Sequence, residues 1–165
     1  MKNLKSFCFV FLLLIGITFT SCNLETQKTT DKKITWNLED EKLVTTAILD
    51  YVEGLYLADS TRIEKSVDST LRKIGYWYNP DEKAYRDNLP MTYTQLVNLS
   101  ASWNKFGNRT SETSPKEIEI YDVNTKTASA KLTAEWGVDY FHLSKVNDQW
   151  KIVNVIWQSM PKIDK

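Results

Sequence analysis

The stretch "DYFHLSKVNDQWKIVNVIWQ", Asp139 to Gln158, decides how the chain folds. Apolar and polar residues alternate, the pattern stops at Asn147-Asp148, and alternation resumes around Trp150 and Trp157. Two alternating runs joined by a two-residue turn signal spell an antiparallel hairpin. The stretch holds the only histidine, His142, which shares a strand face with Tyr140 and Ser144. Asp139, Phe141, Leu143 and Lys145 share the other face. Which face points inward depends on the turn, because a slip of one residue exchanges the two.

Just upstream, "TASAKLTAEW" alternates strictly, with Ala128, Ala130, Leu132, Ala134 and Trp136 on one face. "KEIEIYDV" alternates too and turns at Asn124. Everything after Pro115 therefore reads as a meander of about four antiparallel strands.

Before Pro115 the period changes. From Asp40 to Ala58, Val44, Ile48, Tyr51, Val52 and Leu55 recur at the spacing of a helix with one buried face, which Asn37 or Asp40 can cap. Gly54 within it marks close packing. Asp59 reads as a helix-boundary cap. A second helix is expected from Thr61, with Glu64 at capping-box spacing, and with Ile63, Val67, Leu71 and Ile74 carrying it to about Gly75. "YWYNPDEKAYR" reads as a short hairpin turning at Asn79-Pro80-Asp81-Glu82. Thr92 and Gln95 can open a third helix by a capping box. Leu96, Leu99, Trp103 and Phe106 would be its buried stripe and Gly107 its end. Helices followed by a run of strands imply an α+β domain, with helices on one face of a curved antiparallel sheet.

The start of the chain is of another kind. "MKNLK" is basic, Phe7 to Ile17 is an apolar run too short to span a bilayer, and "TFTSC" follows. This reads as a secretory signal over residues 1–21. Phe19, Thr20, Ser21 and Cys22 resemble the lipobox of bacterial lipoproteins, with Phe for the usual Leu and Ser for the usual Ala or Gly. Lipidation is expected at Cys22. The other cysteine, Cys8, would leave with the signal, and the count excludes a disulfide scaffold. Residues 22–36 are polar and read as a tether, leaving a domain over residues 37–160. A domain of roughly 125 residues buries about two-thirds of its unfolded surface, enough for a core without staples.

Basic and acidic side chains balance at 21 each, which leaves no field to draw nucleic acid. One histidine and no retained thiol offer no first shell for zinc, and five glycines include no phosphate loop. No metal, cofactor or catalytic residue is expected. Asp59-Ser60-Thr61 and Asp68-Ser69-Thr70 resemble the short O-glycosylation motif of secreted Bacteroidetes proteins.

"AILDYVEGLYLADSTRIEKSV", "IEIYDVNTKTASAKL" and "FHLSKVNDQWKIVNVIWQ" together resemble the nuclear transport factor 2-like superfamily, in its lumazine-binding-like branch from Bacteroidetes-type bacteria. The resemblance spans Leu43 to Gln158. It implies a cone-shaped sheet of nuclear transport factor 2-like or cystatin-like form, closed by helices, with a cavity at the wide end. It also implies a homodimer through the sheet's outer face. Relatives include enzymes and proteins without known activity, so fold alone does not settle function. Tyr51, Tyr56, Trp77, Tyr78, Tyr140 and His142 are the candidate pocket residues. The expectation is a lipid-anchored binding or accessory protein of the cell envelope, facing the periplasm or in the outer membrane, with an aromatic-lined pocket; a small aromatic molecule is the candidate partner, and the sequence does not name the ligand. The alternative is a cofactor-free isomerase, dehydratase or cyclase using the same pocket.

Overall fold

The computed structural model describes residues 38–160. The chain divides into two units, Met1–Lys33 and Ile34–Lys165, and the described residues belong to the second. The signal, Cys22, the tether and Asn37 lie outside them. Among the described residues no helix is long and apolar enough to cross a membrane.

The order is α1 (Leu38–Tyr56), α2 (Ser60–Ser66), β1 (Val67–Asn79), β2 (Ala84–Met91), α3 (Tyr93–Trp103), β3 (Lys116–Val123), β4 (Thr127–Ala134), β5 (Gly137–Val146) and β6 (Gln149–Ser159). Six strands form one sheet in the order β2-β1-β6-β5-β4-β3. The expected all-antiparallel sheet is in fact mixed, because β1 and β6 run parallel. β1 leaves α2 in the same direction as the last strand, and antiparallel β2 closes the edge beyond it.

α1 packs its periodic face inward: Val44, Ile48, Tyr51 and Val52 are fully buried. Asp40 is not a cap. It lies within the helix and accepts from Lys145 Nζ (2.7 Å) and Trp150 Nε1 (2.9 Å), tying the helix start to the last hairpin. Gly54 packs closely, since a Cβ there would stand 3.0 Å from Ile63. Asp59 is the N-cap of α2: its carboxylate accepts from the Thr61 amide (3.0 Å) and hydroxyl (2.6 Å). That replaces the Thr61–Glu64 box. Asp68 makes the same pair of contacts with Thr70 at the start of β1.

The helix expected to run to Gly75 stops at Ser66. Val67, Leu71 and Gly75 are buried at a spacing of four, which fits both a helical turn and a period of two. Lys73, buried between Leu71 and Gly75, shows that the period is two. The hairpin that follows forms as read, although β1 and β2 are longer than its aromatic pieces. The Thr92–Gln95 capping box is present in both directions. α3 ends at Trp103, so Phe106 falls beyond it and is 86% exposed rather than buried.

The meander is as expected, with Ala128, Ala130, Leu132 and Ala134 buried on the inner face of β4. Trp136 is not its last residue: the chain reverses at Glu135-Trp136, and Ala134 pairs with Gly137. Asn147 and Asp148 both take positive φ, 48° and 59°, the two-residue turn whose twist suits a hairpin. It sets Asp139, Phe141 and Leu143 inward and Tyr140 and His142 outward.

Candidate functional site

On the inner face the sheet and two helices leave a cavity of about 80 Å³. Tyr51 and Leu55 reach it from α1, Lys73 from β1, and Met91 from the end of β2. Leu96, Leu99 and Trp103 close it from α3, while Trp136 and Trp157 complete the wall. Register builds its floor. Gly75 pairs with Trp157 and Trp157 with Asp139, so β1, β6 and β5 contribute neighbouring inward positions. Gly75 is required here, because a Cβ would overlap the Trp157 indole nitrogen, on an indole laid directly over the β1 backbone.

Lys73 and Asp139 meet in this floor although 66 positions separate them. Lys73 Nζ donates to Tyr51 Oη (2.5 Å) and to Asp139 Oδ1 (3.3 Å). Trp136 Nε1 donates to Asp139 Oδ2 (2.8 Å). The Lys73 and Asp139 side chains are 6% and 0% exposed. Lys73 Nζ also lies 5.4 Å from the Trp157 ring centre, a cation–π distance. Tyr51 stands edge-on to Phe141 (5.1 Å) and Trp136 (6.3 Å), which locks its ring.

Burial sets the chemistry of this cluster. It pushes the Asp139 carboxyl up, against the pull of Lys73 and the Trp136 hydrogen bond. It pushes the Lys73 ammonium down, against the pull of Asp139. Tyr51 is raised well above the ordinary phenol by burial first and by the Asp139 charge second, so it stays protonated. Both desolvation effects favour moving the proton from Lys73 to Asp139, and either arrangement is neutral overall. The cavity thus holds an amine, a carboxyl and a phenol within reach of one another, in aromatic walls.

Of the candidate residues only Tyr51 lines this cavity. Tyr56 lies behind the wall, its hydroxyl donating to Pro115 O (2.7 Å) and accepting from the Glu135 amide (2.8 Å). Trp77 is on the β1–β2 hairpin, with the Arg86 guanidinium 5.4 Å over its ring. Tyr78 stands edge-on to Tyr85 on the same hairpin. Tyr140 and His142 are exposed on the opposite face of the sheet, away from the cavity. Lys73, Asp139 and Trp157 are the residues that sequence reading passed over. The signal for Lys73 was a charged residue at an inward position of a strand, and the helical reading of β1 hid it.

Larger hollows exist, in which several of the polar side chains are bonded to near neighbours. In one of about 420 Å³, Asn104 is bonded to Tyr56 O and Thr110, and Lys116 to Glu53. In another of about 160 Å³, Asp50 is held by Arg62 and Lys65. Among the described residues no group of acidic, histidine or cysteine side chains could hold a metal.

A family model described as putative lumazine-binding matches residues 39–158. The chain belongs to that family. No curated protein matches it in sequence. Among solved structures it is similar to a nuclear transport factor 2-like protein of unknown function from Silicibacter pomeroyi (14% identity, TM-score 0.52, covering 72% of this chain and 94% of that one). It is also similar to one from Shewanella baltica (20%, TM-score 0.50, 76% and 98%). A third is a protein of unknown function with a cystatin-like fold from Nostoc punctiforme (10%, TM-score 0.51, 76% and 94%). At these identities the likeness shows the fold alone: three helices on a curved mixed sheet.

Proposed function

We propose that this family member is a small-molecule-binding lipoprotein of the cell envelope, and that the cavity above Lys73 and Asp139 is its binding site. The observation that carries this is a buried polar cluster at the floor of an aromatic recess. Small-molecule sites have this form, apolar walls with a few convergent polar groups. The family's description as lumazine-binding supports a ligand in general terms. The cavity is smaller than the roughly 300–1,000 Å³ of typical ligand sites, so it receives one end of the ligand. That end is a flat or polar head meeting Lys73, with the remainder lying across the mouth beside Met91 and Leu99.

The anchor rests on the basic start, the short apolar run and Cys22. Three acyl chains hold a protein firmly where one does so only marginally. The outer sheet face supports a homodimer: Ile74, Tyr140 and Ile156 lie in one cross-strand row, 38%, 49% and 47% exposed. Two experiments test the proposal. Small aromatic acids, aldehydes and pteridines are titrated while indole fluorescence is followed, since Trp103, Trp136 and Trp157 line the cavity. A hit should lose affinity in Lys73→Met and keep it in His142→Ala; equal affinity in both would remove the cavity as the site. Labelled fatty acid should enter wild type and not Cys22→Ser, and its absence from wild type would remove the anchor.

A further inference from the structure

We infer that Lys73 is a nucleophile, and that the cavity captures a small aldehyde or ketone as an imine on Lys73 Nζ. This rests on reading the cavity as the ligand site and names the class of ligand it takes.

The geometry favours chemistry over a purely structural ion pair. A buried pair that only holds a fold gains most from short contacts and full satisfaction of its protons. Here the contact to Asp139 is 3.3 Å, and the shorter bond goes to a phenol, Tyr51. The Tyr51 and Trp157 rings stand 5.2 and 5.4 Å from the amine, and Lys73 lines the open recess together with Met91 and Leu96. β1 holds Lys73 between two paired strands, opposite Met91 on β2 and Val155 on β6, so the backbone under the amine is fixed. Amines become nucleophilic when desolvated in apolar pockets, because the neutral form becomes accessible.

The step balances with groups present. The proton of the ammonium passes to the Asp139 carboxylate, giving a neutral amine and a carboxylic acid. The Lys73 lone pair attacks the carbonyl carbon, the C–N bond forms, and the carbonyl π bond opens to oxygen. Tyr51 Oη, which stays protonated, donates a hydrogen bond to that oxygen. Nitrogen loses one proton and oxygen gains one, giving the carbinolamine. Asp139 then gives its proton to the carbinolamine hydroxyl, the C–O bond breaks and water leaves. The protonated imine faces the Asp139 carboxylate, so the cavity holds the same charge pair as before capture. No redox partner is needed.

The test uses the full-length chain in detergent, with benzaldehyde as the probe and cyanoborohydride to reduce any imine to a stable amine. Near neutrality, peptide mapping by mass spectrometry should place a benzyl group on Lys73 ahead of exposed lysines such as Lys65, whose side chain is 69% exposed. The label at position 73 should vanish in Lys73→Arg, but mapping on wild type decides the matter even if that variant folds poorly. Labelling of exposed lysines with Lys73 untouched would overturn the inference. Benzyl alcohol, the same ring without a carbonyl, separates the two readings. If it quenches the indoles while Lys73 stays unlabelled, the cavity is a non-covalent site and only the imine falls. If it does not bind and Lys73 is not labelled, both readings fall.

Discussion

Lys73→Met removes the cation from the cavity floor while keeping most of its volume. Asp139 is then left fully buried with Trp136 Nε1 as its remaining donor. An unpaired buried carboxylate relaxes by taking up a proton. Holding it neutral costs about 1.4 kcal/mol per pH unit above its unfolded value near 4, hence about 4 kcal/mol at pH 7 and about 1.5 at pH 5. This agrees with the roughly 3–5 kcal/mol lost when one partner of a buried pair is removed. In a domain of this size 1 kcal/mol moves Tm by about 4 °C, so the variant should melt roughly 16 °C early at pH 7. A group whose folded pKa is raised contributes its stability below the unfolded value and loses it as pH rises. The deficit should therefore shrink as the solution is acidified toward the carboxylate range. Thermal unfolding followed by circular dichroism at several pH values reads both effects. Lys73→Met combined with Asp139→Asn leaves no ion pair to titrate in the floor, and the new side-chain amide oxygen can still accept from Trp136. The double variant should therefore recover to within about 1 kcal/mol of wild type. A deficit that does not change with pH, or a double variant as weak as the single one, would refute the reasoning and assign the loss to packing. Recovery would mean that the fold does not need the pair, which leaves it available for the proposed ligand.

Three further outcomes are expected. Gly75→Ala should displace the Trp157 indole, cost about 1–3 kcal/mol as overpacking does, and change both ligand affinity and indole emission; unchanged emission would show that the indole does not lie on Gly75. Asp59 and Asp68 are held below the ordinary carboxylate range, chiefly by the hydroxyls of Thr61 and Thr70. A depressed folded pKa gives stability above the unfolded value that is lost as pH falls through the folded one, so Asp59→Asn with Asp68→Asn should flatten the acid limb of a Tm–pH curve, and an identical limb would exclude these carboxylates as its source. Ile156→Lys should turn the proposed dimer into a monomer by light scattering without changing the far-ultraviolet spectrum, whereas a wild-type monomer would remove the dimer.

The legible parts of the sequence are those where one period fits and the partner is close in the chain. Thr127 to Ala134 alternates with every inward position apolar, and each strand of the meander pairs with its neighbour in sequence. Asn147-Asp148 and the Thr92–Gln95 box are signals complete within four residues. β1 meets them only in its hairpin with β2. Its inward residues Val67, Leu71 and Gly75 recur every four positions, which a helix and a strand satisfy equally. Its partner β6 is the last strand, and a parallel pairing leaves no turn to mark it. Lys73 inherits that ambiguity: on a helix a lysine near Gly75 reads as solvated, and only the strand register turns it inward. The expected pocket then went to aromatic residues, because a ring at an apolar position looks the same in a core and in a binding site. Tyr56, Trp77 and Tyr78 are held by other protein groups, and Tyr140 and His142 face away. What distinguishes the site is a charge where burial opposes it. Its partner, Asp139, lies two strands away across Trp157, so the pair exists only once β1, β6 and β5 are in register.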